Sequence, residues 1–212
     1  MTRPQMRFVT LTSILLVCCL AASAQRLISF GVTGGVPFTA FFADETFTPV
    51  VISPFLGSLY GVHSYNGSNQ YAVGPTVEVH LPMNFSVEAD ALFHPVNLRQ
   101  QDYVIGPGPE PAKSTIYGSW EFPVLVKYRA SSGLIRPFVE AGPNFRAVAN
   151  PVGSSLSKAG VSAGAGIGVK IWRVSIAPQV RLTHWGKDAG GAVLNHVASE
   201  RNQGELLVGF TF

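Results

Sequence analysis

The chain has 212 residues, of which 47% are hydrophobic and 13% are charged, and its formal net charge is +3. So small a charge excludes a strongly basic nucleic-acid-binding protein. Beyond the N-terminus, no apolar run approaches the roughly 20 residues of a transmembrane helix, which excludes a helical membrane protein.

The N-terminal segment predicts a secretory signal peptide over residues 1–24. Arg3 and Arg7 precede an uncharged stretch, which is followed by the small-x-small sequence Ala22-Ser23-Ala24. We expect cleavage after Ala24, which leaves an exported domain over residues 25–212. Because the two arginines leave with the peptide, the formal charge falls from +3 to +1.

Both cysteines lie inside this predicted peptide. Loss of Cys18 and Cys19 leaves the exported domain without a thiol for a disulfide or a metal site. A lipoprotein acylated at one of these cysteines is the alternative, but the preceding Val17 or Cys18 is bulkier than the residue that lipoprotein processing favours. We predict no cofactor and no metal site.

Beyond the signal peptide the sequence alternates between apolar and polar positions, which is the two-residue period of a strand with two different faces. In residues 71–81, for example, Val77 and Val79 share an apolar face, whereas Thr76 and Glu78 share a polar one. The same alternation predicts seven further strands, at residues 27–36, 85–94, 118–129, 136–146, 161–171, 174–183 and 205–212. Eight strands are an even number, as antiparallel closure of a bacterial outer-membrane barrel requires.

The connections between these strands alternate in length. Three are short, at residues 82–84, 131–133 and 172–173, and four are long, at residues 37–68, 98–114, 149–157 and 187–201. Short periplasmic turns and long external loops are usual in such barrels, so we place both termini on the periplasmic side. Aromatic residues of the apolar face agree with this orientation. At the periplasmic rim these are Phe85, Tyr128 and Phe212, and at the external rim Phe93 and Phe145.

The polar face carries the charged residues, and we predict that it points into the barrel. They are Glu78, Glu88, Asp90, Glu121, Lys127, Glu140, Arg146, Lys170, Arg181 and Glu205. An eight-stranded barrel has internal room only for side chains, and an unpaired charge there costs several kcal/mol. We therefore expect a non-conducting, ion-paired plug, with the glycines of residues 164–168 making room for the longer side chains. A narrow ion path through rearranging pairs is the alternative.

The sequence of a soluble lipocalin-like barrel would also alternate between apolar and polar residues, but the signal peptide and the last strand favour a membrane barrel.

That last strand reads Leu206-Leu207-Val208-Gly209-Phe210-Thr211-Phe212, and it resembles the signal that presents outer-membrane barrels to their assembly machinery, with Phe210 and Phe212 as its aromatic residues. Residues 121–128 (EFPVLVKY) and 136–143 (RPFVEAGP) resemble the fourth and fifth strands of the small outer-membrane β-barrel domain family, the OmpA-like barrels. The resemblance covers essentially the whole exported domain. It implies an all-β, eight-stranded antiparallel up-and-down transmembrane β-barrel in the cell outer membrane. We expect no peptidoglycan-binding domain after the barrel, so wall anchoring is not implied.

The resemblance also implies partners: outer-membrane lipids, periplasmic chaperones in transit and the barrel-assembly machinery. We expect a monomer that binds no nucleic acid.

Candidate catalytic groups are few. Glu88, Asp90 and Glu121 would form an acid cluster, but no nucleophile accompanies them. Some eight-stranded outer-membrane barrels modify lipid A with His and Ser, and here only His63 and Ser64 are adjacent, without the deacylase motif. We predict no enzyme, with lipid modification as a less favoured alternative.

The first long loop is the strongest candidate for a contact surface. Its aromatic residues are Phe41, Phe42, Phe47, Phe55, Tyr60 and Tyr65. Exposed aromatic residues often mark binding surfaces, but these residues are equally suited to a lid over the barrel mouth. We expect a structural or interaction protein whose four long loops are its contact surfaces.

Overall fold

The computed structural model describes residues 27–47, 60–67, 70–104, 108–109, 111–130, 133–148, 156–188 and 197–212. The predicted signal peptide lies outside these residues. Among the residues that are described, no helix is long and apolar enough to cross a membrane.

The described residues form twelve strands, joined by antiparallel pairing. They are β1 (Ile28–Pro37), β2 (Glu45–Phe47), β3 (Tyr60–Asn66), β4 (Ala72–His80), β5 (Phe85–Asp90), β6 (Leu92–Val104), β7 (Gly108–Pro109), β8 (Lys113–Arg129), β9 (Ile135–Val148), β10 (Ala159–Ile171), β11 (Val174–Trp185) and β12 (Asn202–Thr211). β5 and β6 act as one strand across Ala91, because β8 pairs with both in a single register. The amide of Ala91 also donates to the carbonyl of Pro75 at 3.0 Å, which continues the ladder with β4.

Eight strands close into a barrel. The order around it is β1, β4, β5 with β6, β8, β9, β10, β11 and β12, and β12 pairs back onto β1 from Gly31↔Thr211 to Pro37↔Glu205. Each barrel strand pairs with its neighbours in the sequence, which makes the topology up-and-down. Closure leaves no unpaired sheet edge in the wall. The predicted all-β, eight-stranded antiparallel fold is therefore confirmed.

Two of the predicted short turns are described in full, and both contain left-handed backbone. Met83 and Asn84 have φ values of 60° and 65° between β4 and β5, and Trp172 has a φ of 57° between β10 and β11. Positive φ at both central residues, as at Met83 and Asn84, is the geometry of the two-residue hairpin turn that follows the twist of antiparallel strands. Both connections are as short as the sequence predicts.

The predicted long loops at 37–68 and 98–114 are not loops throughout. β6 continues to Val104 and β8 begins at Lys113, with Gln100 paired to Lys113. β3 pairs with the outer part of β6, and β2 pairs with β3. Backbone groups at this end satisfy one another by extending the ladder. Several side chains of this extension are exposed, including Arg99 and Lys113, so neither face needs to be apolar and the alternation that predicts strands is weaker there.

Side chains of the apolar and polar faces differ sharply in exposure. Along β9, residues Phe138, Glu140, Asn144 and Arg146 are buried, whereas the intervening residues such as Val139 are largely exposed. The exposed outer surface carries two sets of aromatic residues, one near each end of the barrel. The set at the turn end is Phe30, Phe85, Tyr128, Trp172, Phe210 and Phe212, and the set at the opposite end includes Phe38, Tyr71, Trp120 and Phe145.

Candidate functional site

The centre of the barrel is filled by an ion-pair network around Arg181. Its guanidinium donates to Asp90 Oδ2 at 2.9 Å, to Glu140 Oε1 at 3.0 Å and to Glu88 Oε1 at 3.3 Å. Lys127 adds a second cation, which contacts Glu88 and lies 3.3 Å from Glu140 Oε2. All five side chains are buried. Two cations therefore balance most of the charge of three carboxylates.

The register of the sheet explains why these residues meet. Gly164 of β10 pairs with Arg181 of β11 on one side and with Glu140 of β9 on the other. A Cβ atom at Gly164 would stand 2.9 Å from Glu140 Oε1, so the glycine leaves room for the two long side chains to meet in front of it. Asp90 lies on β5, four barrel strands away, so its bond to Arg181 crosses the lumen.

A smaller network lies at the turn end of the lumen. Arg129 pairs with Glu78, and Ser86 Oγ donates to Glu78 Oε1 at 2.5 Å. Arg129 Nη1 also donates to Ser86 Oγ at 2.8 Å. Lys170 lies exposed at this mouth, where it lines a pocket that opens to solvent. The prediction that Lys170 belongs to the interior network is therefore wrong, because its position near the end of β10 lets its ammonium reach water.

A third cluster lies on the opposite side of the central network. His94 of β6 is 96% buried between two glutamates, with Nδ1 3.5 Å from Glu205 Oε1 and Nε2 3.9 Å from Glu121 Oε1. Glu121 Oε2 accepts a hydrogen bond from Asn144 Nδ2 at 3.1 Å. Glu121 thus lies in a different cluster from Glu88 and Asp90, contrary to the acid cluster expected from the sequence.

The mouth opposite the short turns is covered by the segment that follows β1. Residues 38–43 turn over the opening and pair with the segment before β12, through Ala43 N to Ala198 O at 3.0 Å and Glu200 N to Phe41 O at 2.9 Å. The side chains that pack beneath form one apolar cluster, composed of Phe41, Phe42, Val96, Leu98, Leu156 and Val197. Phe41 and Phe42 therefore belong to the segment that covers the mouth, residues 38–43, which we call the lid. Phe55 and the side chains of Phe47 and Tyr60 lie outside the described part.

Arg146 fastens this lid to the barrel. Its guanidinium stacks over the ring of Trp185 at 4.3 Å and donates from Nη2 to Ser199 Oγ at 2.7 Å. Asp188 lies 3.8 Å from Arg146 and accepts from the amides of Ser157 and Ser199 at 2.6 and 2.8 Å. Arg146, which the sequence assigns to the interior network, thus joins the lid to the barrel wall rather than joining the central ion pairs.

Nine of the ten charged residues predicted to lie inside are buried, with Lys170 as the exception. The sequence missed Arg129, His94 and Asp188. Arg129 and His94 are on the polar face of their strands, and this alternation was the available signal. Asp188 lies beyond the end of β11, where alternation gives no information.

The adjacent His63 and Ser64 do not form a nucleophile and base pair. They are successive residues of β3, so their side chains lie on opposite faces of the sheet, and Ser64 is buried. His63 Nε2 instead lies 2.5 Å from Asp44 Oδ1. His63 and Ser64 therefore do not form a catalytic triad with an acidic residue.

No family model and no curated protein matches the chain. Among solved structures, it is similar to the outer membrane protein OprG from Pseudomonas aeruginosa. The identity is 14%, the TM-score is 0.50, and the match covers 88% of this chain and 94% of that one. At this identity the likeness concerns the fold alone. The chain therefore has the fold of a small outer-membrane β-barrel, closed by eight antiparallel strands.

Proposed function

We propose that the chain is a non-conducting barrel of the outer membrane, with a structural and interaction role carried by its external surface. The observation that carries this proposal is the filling of the lumen at successive levels. The Arg181 network crosses its centre, and the lid closes its external mouth. Wide diffusion pores need about 16 strands.

The outer surface supports placement in a membrane. Its exposed side chains are apolar over most of the barrel wall, far beyond the few hundred Å² that a soluble monomer usually leaves exposed. On β8, Tyr128 lies eight positions after Trp120. At about 3.3 Å per residue and a tilt of about 40°, this separation corresponds to about 20 Å along the bilayer normal, close to the ~25 Å apolar band of such barrels. Outer-membrane lipids are thus the expected environment.

Export and assembly belong to the same proposal. The signal peptide over residues 1–24 would direct the chain to the periplasm, where chaperones would hold it before insertion. β12 would then engage the assembly machinery through Phe210 and Phe212, whose side chains lie on the outer surface. The barrel shape and the motifs of β8 and β9 support kinship with the OmpA-like barrels. We expect a monomer.

The contact surface we propose lies mainly within two of the four predicted loops, residues 37–68 and 98–114. Because Phe41 and Phe42 are used in the lid, they are not available to a partner. The outer ends of β6 and β8 project beyond the aromatic residues at the external end, and they present exposed side chains at Arg99, Lys113 and Ile116. We propose this projecting ladder, together with β3, as the main contact surface.

Conductance in planar bilayers tests this proposal against its main alternative. The purified full chain, with its barrel fold checked by a gel mobility that changes on boiling, should show no discrete current steps. A narrow channel would give steps that change in the Arg181→Ala and Glu140→Ala variants, and this outcome would overturn the non-conducting role. Solubility of the folded protein without detergent would overturn the membrane placement itself.

The proposal includes no enzymatic activity. Overproduction of the chain should therefore leave the lipid A of the host unchanged in mass spectra. A new lipid A species that disappears in the His63→Ala variant would instead establish a lipid-modifying enzyme, with the Asp44 and His63 contact as its base.

A further inference from the structure

One buried cluster has the donor atoms of a metal site. His94, Glu121 and Glu205 come from β6, β8 and β12, and one donor atom from each lies within 4.8 Å of the other two. All three side chains are buried. Imidazole nitrogen and carboxylate oxygen are the ligands that Zn²⁺ and similar divalent ions use in proteins.

One ring nitrogen of His94 lacks a hydrogen-bond partner within the described part of the chain. His94 Nε2 is buried and has no hydrogen-bond partner among the described residues. The nearest oxygen of Glu121 is 3.9 Å away, too far for a hydrogen bond. A buried polar atom without a partner needs an explanation such as an ion or a water. Its position between two carboxylates favours an ion.

The charge balance also favours a cation. Two carboxylates face one imidazole, and a neutral imidazole leaves two negative charges, whereas a protonated one leaves one. The neighbouring arginines are engaged elsewhere: Arg181 donates to Glu88, Asp90 and Glu140, and Arg146 to Ser157 and Ser199. A divalent cation with neutral imidazole would bring the charge of the cluster to zero.

The spacing and the surroundings fit such an ion. Donors at about 2.0–2.2 Å from a zinc ion lie about 3–3.5 Å apart. One donor atom of each of the three residues already lies within 4.8 Å of the other two, so small side-chain rotations reach that spacing. The cluster lines a small cavity beneath the lid, together with the polar residues Thr39, Gln70 and Gln203. This cavity has room for about one water molecule beside the three side chains.

Asn144 supplies an orienting contact. Its Nδ2 donates to Glu121 Oε2 and to Ser162 Oγ, both at 3.1 Å, which fixes one oxygen of Glu121 and leaves Oε1 directed at His94. Such outer hydrogen bonds are the usual means of holding metal ligands in place.

We propose that His94, Glu121 and Glu205 bind one divalent cation of the zinc class inside the barrel, with one water molecule completing the coordination. This inference does not depend on the non-conducting role, since binding is measured apart from conductance. The lumen would then bind a divalent cation beneath the lid even though the barrel conducts no ions.

Equilibrium dialysis of the detergent-purified full chain against Zn²⁺ tests the proposal. We expect one ion per chain, and a loss of affinity of at least tenfold in the His94→Gln and Glu205→Gln variants. The matched control is His184→Gln, which changes an exposed histidine of β11 and should leave binding unchanged. Heat-dependent gel mobility verifies that each variant retains the closed barrel.

Co²⁺ provides a second, spectroscopic measurement. Bound Co²⁺ should give visible absorption bands that His94→Gln abolishes and His184→Gln retains. Absence of stoichiometric binding by the unmodified chain would overturn the proposal, and so would binding that survives both His94→Gln and Glu205→Gln. If one variant fails to form the barrel, the other still decides between these outcomes.

Discussion

Replacement of Arg181 by methionine tests whether the central network stabilises the barrel. Methionine fills much of the same volume but donates no hydrogen bond, so three bonds of 2.9, 3.0 and 3.3 Å to carboxylates are lost. Three buried acids would then face Lys127 alone. Removing one partner from a buried ion pair typically costs 3–5 kcal/mol, and we expect a loss of about that size in the free energy of unfolding.

Urea unfolding in detergent or lipid vesicles, followed by tryptophan fluorescence and gel mobility, measures this loss. The matched control is Lys170→Met, which removes a cation from the exposed mouth and should change the free energy of unfolding by less than about 0.5 kcal/mol. The reasoning would be refuted if Arg181→Met stayed within about 1 kcal/mol of the unmodified chain, or if both variants lost the same amount. Combining Arg181→Met with Asp90→Asn should recover part of the loss, because the excess negative charge falls.

Three further predictions concern the outer wall, the strand contacts and the lid. Val180→Arg, near mid-height on the lipid-facing surface, should lower the free energy of unfolding in vesicles by about 2–4 kcal/mol, whereas Val180→Leu should have little effect. Gly74→Ala should prevent accumulation of the heat-modifiable form, because its Cβ would stand 1.7 Å from Ala91 O, whereas the matched Gly209→Ala meets nothing closer than 3.4 Å and should assemble normally. Phe42→Ala should leave the barrel intact but expose external segments of the protein to protease on whole cells, since the lid loses its most buried aromatic ring; unchanged protection would contradict the lid.

The alternation of apolar and polar residues predicted the barrel strands because one face forms the exposed, apolar outer wall and the other meets a packed lumen. It also placed the residues of the central network on one face, since charged side chains that point into so narrow a barrel must pack against one another. Lys170 shows the limit of this reasoning. The sequence places Lys170 on the correct face of β10. How deep its side chain lies in the barrel depends on where β10 ends relative to the mouth.

Other features depend on partners that are distant in the sequence. His94 and Glu205 are 111 residues apart, and nothing in the local sequence of either residue indicates the other. The same is true of the lid, where Phe42 bridges to Ser199 across the barrel mouth. The outer parts of β6 and β8 were missed for a different reason: both faces lie in water there, so backbone pairing continues without the apolar pattern.

The bond between Arg181 and Asp90 has a consequence for the order of assembly. The two residues are 91 positions apart and stand on opposite walls, so the bond forms only after the sheet has curled round. A half-built sheet of hairpins would have to hold these charges against lipid without their partners, which is energetically costly. This ion pair therefore stabilises the sheet only once the barrel has closed, and it favours cooperative closure over insertion strand by strand.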